Sequence, residues 1–167
     1  LMNPLYGLGD RIDASMVDRY SLYQIGAYCD QNVPDGEGGV EPRFVCNTYL
    51  QSQADALRVL NDLSSVFRGM AYWANGEVVA VADMPSDPAY TFTNANVIDG
   101  VFEYTGADIT TRKTVALVSW NGPTDFYRAK VEVVNDDDGI FRYGIRKTEI
   151  KAFGCTSRGQ AQRAGLY

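Results

Sequence analysis

The stretch Lys113-TVALVSWNGPTDFYRAKVEVVNDDDGIFRYGIRKTEIKA-Phe153 decides how this chain folds. Lys113 to Trp120 and Tyr127 to Val134 are rich in β-branched and aromatic residues and flank Asn121-Gly-Pro-Thr-Asp125, the pattern of two strands joined by a turn. Asp136 to Tyr143 allows either a hairpin tip at Asp138-Gly139 or one short helical turn with an acidic start and Gly144 as its stop. Ile140, Phe141 and Tyr143 sit together, which favours the helix. Ile145 to Phe153 then returns to a strand-like run, giving β-β-α-β.

Working outward toward the N-terminus, Asn75-Gly76 between Met70–Trp73 and Val78–Ala82 is a strong hairpin signal, because a type I′ turn needs positive φ at both central residues. Ser52-x-x-Asp55 has capping-box spacing. Ala56, Leu60, Leu63 and Phe67 draw one apolar stripe behind it, predicting a helix that ends near Phe67 or Arg68 with Gly69 as its stop. Another helix is expected from Ser15-x-x-Asp18, with Met16, Tyr20, Tyr23 and Ala27 at helical spacing, to about Gln31.

Between them lies Tyr28-CDQNVPDGEGGVEPRFVC-Asn47. Its prolines and glycines from Pro34 to Pro42 exclude regular structure. Arg43 to Leu50 then alternates as a strand with Phe44, Cys46, Thr48 and Leu50 on one face. Val101–Tyr104 is a further strand. Toward the C-terminus, Ser157 is placed to cap a helix running to Tyr167, where no terminator appears, as in a piece of something longer.

These elements make an α+β chain, with a polar, Pro-rich turn over 83–88 suggesting two lobes: an α+β lobe over 1–86 and a β-rich lobe over 87–167. At 167 residues the chain can bury roughly 70% of its unfolded surface without a metal or disulfide staple. No apolar run reaches the ~20 residues of a membrane span.

With no histidine, a Ser-His-Asp triad, a Cys-His dyad and a Cys/His zinc site are all excluded. Three widely spaced cysteines, Cys29, Cys46 and Cys155, form no CxxC pair and are expected to be small packed side chains. The net charge of −6 argues against sequence-independent binding of nucleic acid, which needs clustered cations on phosphate.

Asp30, Asn32 and Glu41 fall at positions 1, 3 and 12 of a calcium loop. Pro34 and Asp35 occupy positions 5 and 6, where a ligand and a Gly are needed, so a solvated acidic loop is expected instead. Asp136 to Asp138 are expected to cap a helical turn, and the aromatic residues to pack in the core or at subunit interfaces. No Gly-rich segment has phosphate-loop spacing. Catalytic, cofactor-binding and metal-ligating residues: none is nominated, and no cofactor is expected.

Taken in order, Tyr6-Gly-Leu-Gly9, Tyr28-Cys-Asp-Gln31, Val33-Pro-Asp-Gly36, Glu41-Pro-Arg43, Val118-Ser-Trp-Asn121, Arg142-Tyr-Gly144 and Ala152-Phe-Gly-Cys-Thr-Ser-Arg-Gly-Gln-Ala161 resemble the central tail-tip proteins of lambda-like siphophages, the tip attachment or host-specificity protein J family. The resemblance implies part of a phage or prophage virion: a homotrimeric baseplate-hub-like ring that closes the tail tube and supports the host-attachment region. It implies contacts with other tail-tip and tail-tube proteins, passage of DNA without specific binding, and no catalytic residues. Made in the host cytoplasm, it would act at the tail tip without stable membrane insertion. Asp30, Asp35, Glu37 and Glu41, or Asp136 to Asp138, would then face a lumen or a neighbouring subunit. The alternative is a carbohydrate- or receptor-binding module with exposed Tyr and Trp.

Overall fold

The computed structural model describes residues 3–5, 7–50 and 55–167. Tyr6 and Ser52, used above, lie outside them.

The quoted stretch folds as expected. Strands β5 (Val115–Gly122), β6 (Arg128–Asn135) and β7 (Lys147–Lys151) form one sheet in the order β6-β5-β7. β5 pairs antiparallel with β6, Val118 opposite Glu132, and parallel with β7, Val118 opposite Ile150. Helix α3 (Asp137–Tyr143) is the crossover between β6 and β7. Asp136 caps it by accepting from Gly139 N, and Gly144 closes it with φ 74°.

The even-numbered face of β5 carries Ala116, Val118 and Trp120. Helix α4 (Arg158–Leu166) covers it, so Ala116, Val118, Val134, Cys155 and Ala161 form the buried core. As expected, Ser157 caps α4, accepting from Gln160 N.

Strands β3 (Gly69–Ala74) and β4 (Glu77–Ala82) make the expected hairpin, with Asn75 at φ 53° and Gly76 at φ 82° in its turn. Helix α2 (Ala56–Val66) is capped by Asp55, which accepts from Arg58 N, and packs on β3. The left-handed residue ending it is Arg68, φ 56°, while Gly69 opens β3; the stop lies one residue earlier than expected. Helix α1 (Arg19–Cys29) also starts later, because Asp18 accepts from Tyr20 N and Ser21 N, leaving Ser15 in a short turn capped by Asp13.

Three expectations fail. Residues 34–42 are not irregular throughout: β1 (Asn32–Pro34) and β2 (Val40–Pro42) pair antiparallel, Asn32 opposite Pro42, so the prolines occupy strand ends. The Asp35 carboxylate closes that hairpin by accepting from Glu37 N at 2.8 Å and Gly39 N at 2.9 Å. Residues 43–50 form no strand. Their alternation finds no partner strand, and Val45 bonds a glutamine side chain instead; Cys46 is exposed rather than pointing inward with an apolar set. Residues 101–104 form no strand either, and all four are exposed.

From 83 to 114 the chain has only two short 3-10 turns, an irregular strap carrying Tyr90, Phe92, Ile98, Val101 and Tyr104 at 63–90% exposure. Many aromatic residues thus lie outside the chain's own core, which leaves a subunit interface as the place where the expected packing could occur. The chain exposes 12577 Å², roughly 4,000 Å² more than a compact monomer of its mass.

Candidate functional site

The block Ala152–Ala161 becomes a clasp. Cys155 is buried two residues before the Ser157 cap of α4 and donates through Sγ to Ser157 O at 3.2 Å. Gln160 faces residues 43–47. Its Oε1 accepts from Val45 N at 3.0 Å and its Nε2 donates to Val45 O at 3.2 Å, so one amide replaces a strand partner. Asn47 N donates to Gly154 O at 2.8 Å, and Asn47 Nδ2 donates to Thr156 Oγ1 at 2.7 Å.

On the next turn of α4, Arg163 gathers the β1–β2 hairpin. One guanidinium nitrogen meets Glu41 Oε1 at 2.8 Å and Pro34 O at 3.2 Å; another donates to Arg43 O at 3.0 Å. Ser157 Oγ donates to the other Glu41 oxygen. The Arg163 and Glu41 side chains are 22% and 19% exposed, so the pair is screened far less than a surface ion pair. Gly159 lies against this contact: a Cβ there would stand 2.5 Å from both Asp35 O and Glu41 Oε1. Any larger residue would push the hairpin off the helix.

Arg158 makes a two-pronged contact with Glu132 at 3.0 and 3.2 Å and reaches Glu37 at 3.3 Å. Its pKa is raised, the Glu132 hydrogen bond being the first cause. Arg68 donates to Arg163 O at 2.7 Å and stacks 4.2 Å from the Tyr167 ring. Tyr167 Oη in turn donates to Asp83, which raises the phenol's pKa.

The acids singled out in the sequence are therefore dispersed. Glu41 and Glu37 turn to Arg163 and Arg158, and Asp35 serves the hairpin turn, its pKa lowered chiefly by the Glu37 N–H. Asp30 ends α1, while Asp136 is used as a cap with Asp137 and Asp138 following it in the first turn of α3. Among the described residues no group of three or more His, Cys, Asp or Glu is placed to hold a metal ion. Loss of water around the sulfur is the first cause raising the pKa of all three thiols, at Cys46 too although that residue is exposed as a whole, so none is shifted toward the thiolate. A cavity of about 140 Å³ lies between Phe44, Val66, Ile150 and Cys155, and a wider, open cleft of about 800 Å³ is bordered by Thr114, Val134, Asp136 to Asp138 and Tyr167. The contacts of Ser157, Gln160 and Arg163 join α4 to distant segments of the chain.

The strap was missed as a functional feature, although a signal for it exists. Residues 69–111 contain Glu77, Asp83, Asp87, Asp99, Glu103 and Asp108 but no Lys or Arg, so this stretch alone accounts for the net charge of −6.

Comparison with known proteins bears on what the clasp belongs to. A family model described as "Putative phage tail protein" matches residues 55–166. The Tip attachment protein J of Escherichia phage SECphi27 is 43% identical over 165 residues, covering 99% of this chain and 14% of that protein. That of Escherichia phage SECphi4 is 42% identical over 163 residues, 97% of this chain and 14% of its own length. The likeness seen in the short motifs is borne out. The chain spans about 14% of the length of the curated relatives it matches.

Proposed function

The chain belongs to the phage tail protein family, and from that premise we propose that it is part of a tail-tip hub, a homotrimer that closes the tail tube and supports the host-attachment region. The near end-to-end match to two tip attachment proteins carries this reading. Its work is structural: the clasp holds α4 against the β1–β2 hairpin, and exposed apolar surface docks on neighbouring subunits and other tail proteins. DNA would pass without being held, in keeping with the acidic balance. The two-lobe division at 86/87 belongs to the same proposal and falls at the head of the strap.

Gold-labelled antibodies against this chain should mark intact virions at the tail end distal to the capsid, and native mass spectrometry of the complete reading frame should give three copies. Label along the tube or on the capsid would sink the tail-tip reading; a stable monomer would sink the trimer.

The exposure of Tyr20 at 86% and Tyr23 at 78%, one turn apart on α1, favours a second reading, a carbohydrate- or receptor-binding module. Glycan-array binding lost in Tyr20→Ala and Tyr23→Ala would support it.

A further inference from the structure

We infer that copies of this chain join head to tail, the strap of one lying across the uncovered face of the β6-β5-β7 sheet of the next. The inference rests on the self-assembly reading above and adds to it which surfaces meet.

The seat is the sheet face opposite α4. Strand register places Leu117, Val131 and Val133 on that side, with Lys147, Glu149 and Lys151 along β7 beside them. Val131 and Val133 are 57% and 55% exposed, Leu117 is half-buried, and both lysines are exposed. Val115 on the same side is buried, so the open part is an apolar strip along β6 and the middle of β5, bordered on β7 by Lys147 and Lys151 with Glu149 between them.

The occupant is the strap. Around Tyr90, Phe92, Ile98, Val101 and Tyr104 the charges are Asp99 and Glu103, both exposed. No Lys or Arg occurs from 69 to 111, whereas the border of the seat carries Lys147 and Lys151 against the single acid Glu149. The two surfaces are thus alike in apolar character and opposite in charge, the combination that selects one docking orientation. Neither is self-complementary, which disfavours a two-fold pair in which identical patches meet.

Area points the same way. A standard interface buries about 800 Å² on each partner, and the chain exposes roughly 4,000 Å² beyond the expectation for a compact monomer. A copy that offers a strap on one side and a sheet on the other makes two contacts, and a ring closes by repeating them.

The test uses the complete reading frame. Asp99→Lys with Glu103→Lys, or Lys147→Glu with Lys151→Glu, should each weaken assembly about tenfold in sedimentation equilibrium. Combining all four changes in one chain should restore assembly, because every reversed strap then meets a reversed sheet; mixing the two double variants mends only unlike junctions, two of the three in a ring of three. All four positions are exposed, and Asp99→Asn with Glu103→Gln, which keeps a residue suited to the left-handed backbone at 99 (φ 56°), should weaken assembly in the same direction with circular dichroism and melting unchanged, so loss of fold is separable. A p-benzoylphenylalanine in place of Tyr104 should crosslink to residues 131–133 or 147–151 of a differently tagged copy. An assembly whose crosslinks map elsewhere, or onto another tail protein, with no restoration in the chain carrying all four changes, overturns this inference and leaves the hub reading standing. A monomer at every concentration overturns both.

Discussion

The clasp over 152–163 and the strap over 83–114 treat their side chains in opposite ways. In the clasp, Ser157, Gln160 and Arg163 each bond two or more partners more than a hundred residues away or along α4 itself, and Cys155 and Ala161 are about 1% and 0% exposed. In the strap, ring contacts are local, such as Tyr90 on Phe92 at 4.9 Å and Phe102 near Tyr104 at 6.4 Å, and the large apolar groups remain in water. A segment that satisfies itself within the chain supplies stability. One that leaves aromatic surface open supplies recognition, because its burial energy is still available for a partner.

If that contrast is sound, changes in the clasp should cost the isolated chain far more than changes in the strap. Arg163→Ala should have the largest effect, about 2–3 kcal/mol, since it strands the Glu41 carboxylate and removes donors to Pro34 O and Arg43 O. In thermal unfolding that corresponds to a fall of roughly 4–12 °C. Glu41→Leu combined with Arg163→Met should recover most of it by removing both charges together. A melting point unchanged by Arg163→Ala would break the comparison.

Gly159→Ala should cost about 2 kcal/mol in urea unfolding, the added methyl meeting Asp35 O and Glu41. Ser157→Ala should cost about 1 kcal/mol through the lost helix cap, with more lost in hydrogen-exchange protection at the start of α4 than at its end.

Acid should act on the hairpin held by the clasp. The Glu37 and Gly39 N–H groups depress the Asp35 pKa, so its contribution is complete above the ordinary carboxylate value near 3.8 and is lost as pH falls through the depressed folded value. Exchange at Glu37 and Gly39 should therefore speed up only below about pH 4, and Asp35→Asn should flatten that dependence.

Smallest of all, Tyr104→Ser should change the stability of the isolated chain by less than about 0.5 kcal/mol, because a ring 90% exposed contributes little to the fold. A loss above 1 kcal/mol would show the strap already packed against its own chain.

Much of this molecule was legible from local chemistry. Asn75-Gly76 requires positive φ, Asp136 and Ser157 are efficient caps, and β5 and β6 alternate strongly enough to announce a sheet. The clasp was legible only as a motif: Ala152–Ala161 stood out by resemblance, while nothing in the spacing of Gln160 and Val45 says that they bond. Residues 43–50 misled for the same reason. Alternation records which faces are apolar, but a strand also needs a partner backbone, and here a glutamine side chain takes that place at Val45.

Local order and charge therefore belong to the sequence alone, because turns, caps and strand periodicity depend on residues within a few positions of one another, and the cation-free run over 69–111 needs no structure to be seen. Tertiary structure decided the rest: that Glu41 answers Arg163 across 122 positions, that Gly159 must lack a Cβ, and that one face of the sheet is covered while the other stays open. Those outcomes depend on how α4 seats against distant segments, and no local pattern encodes that placement.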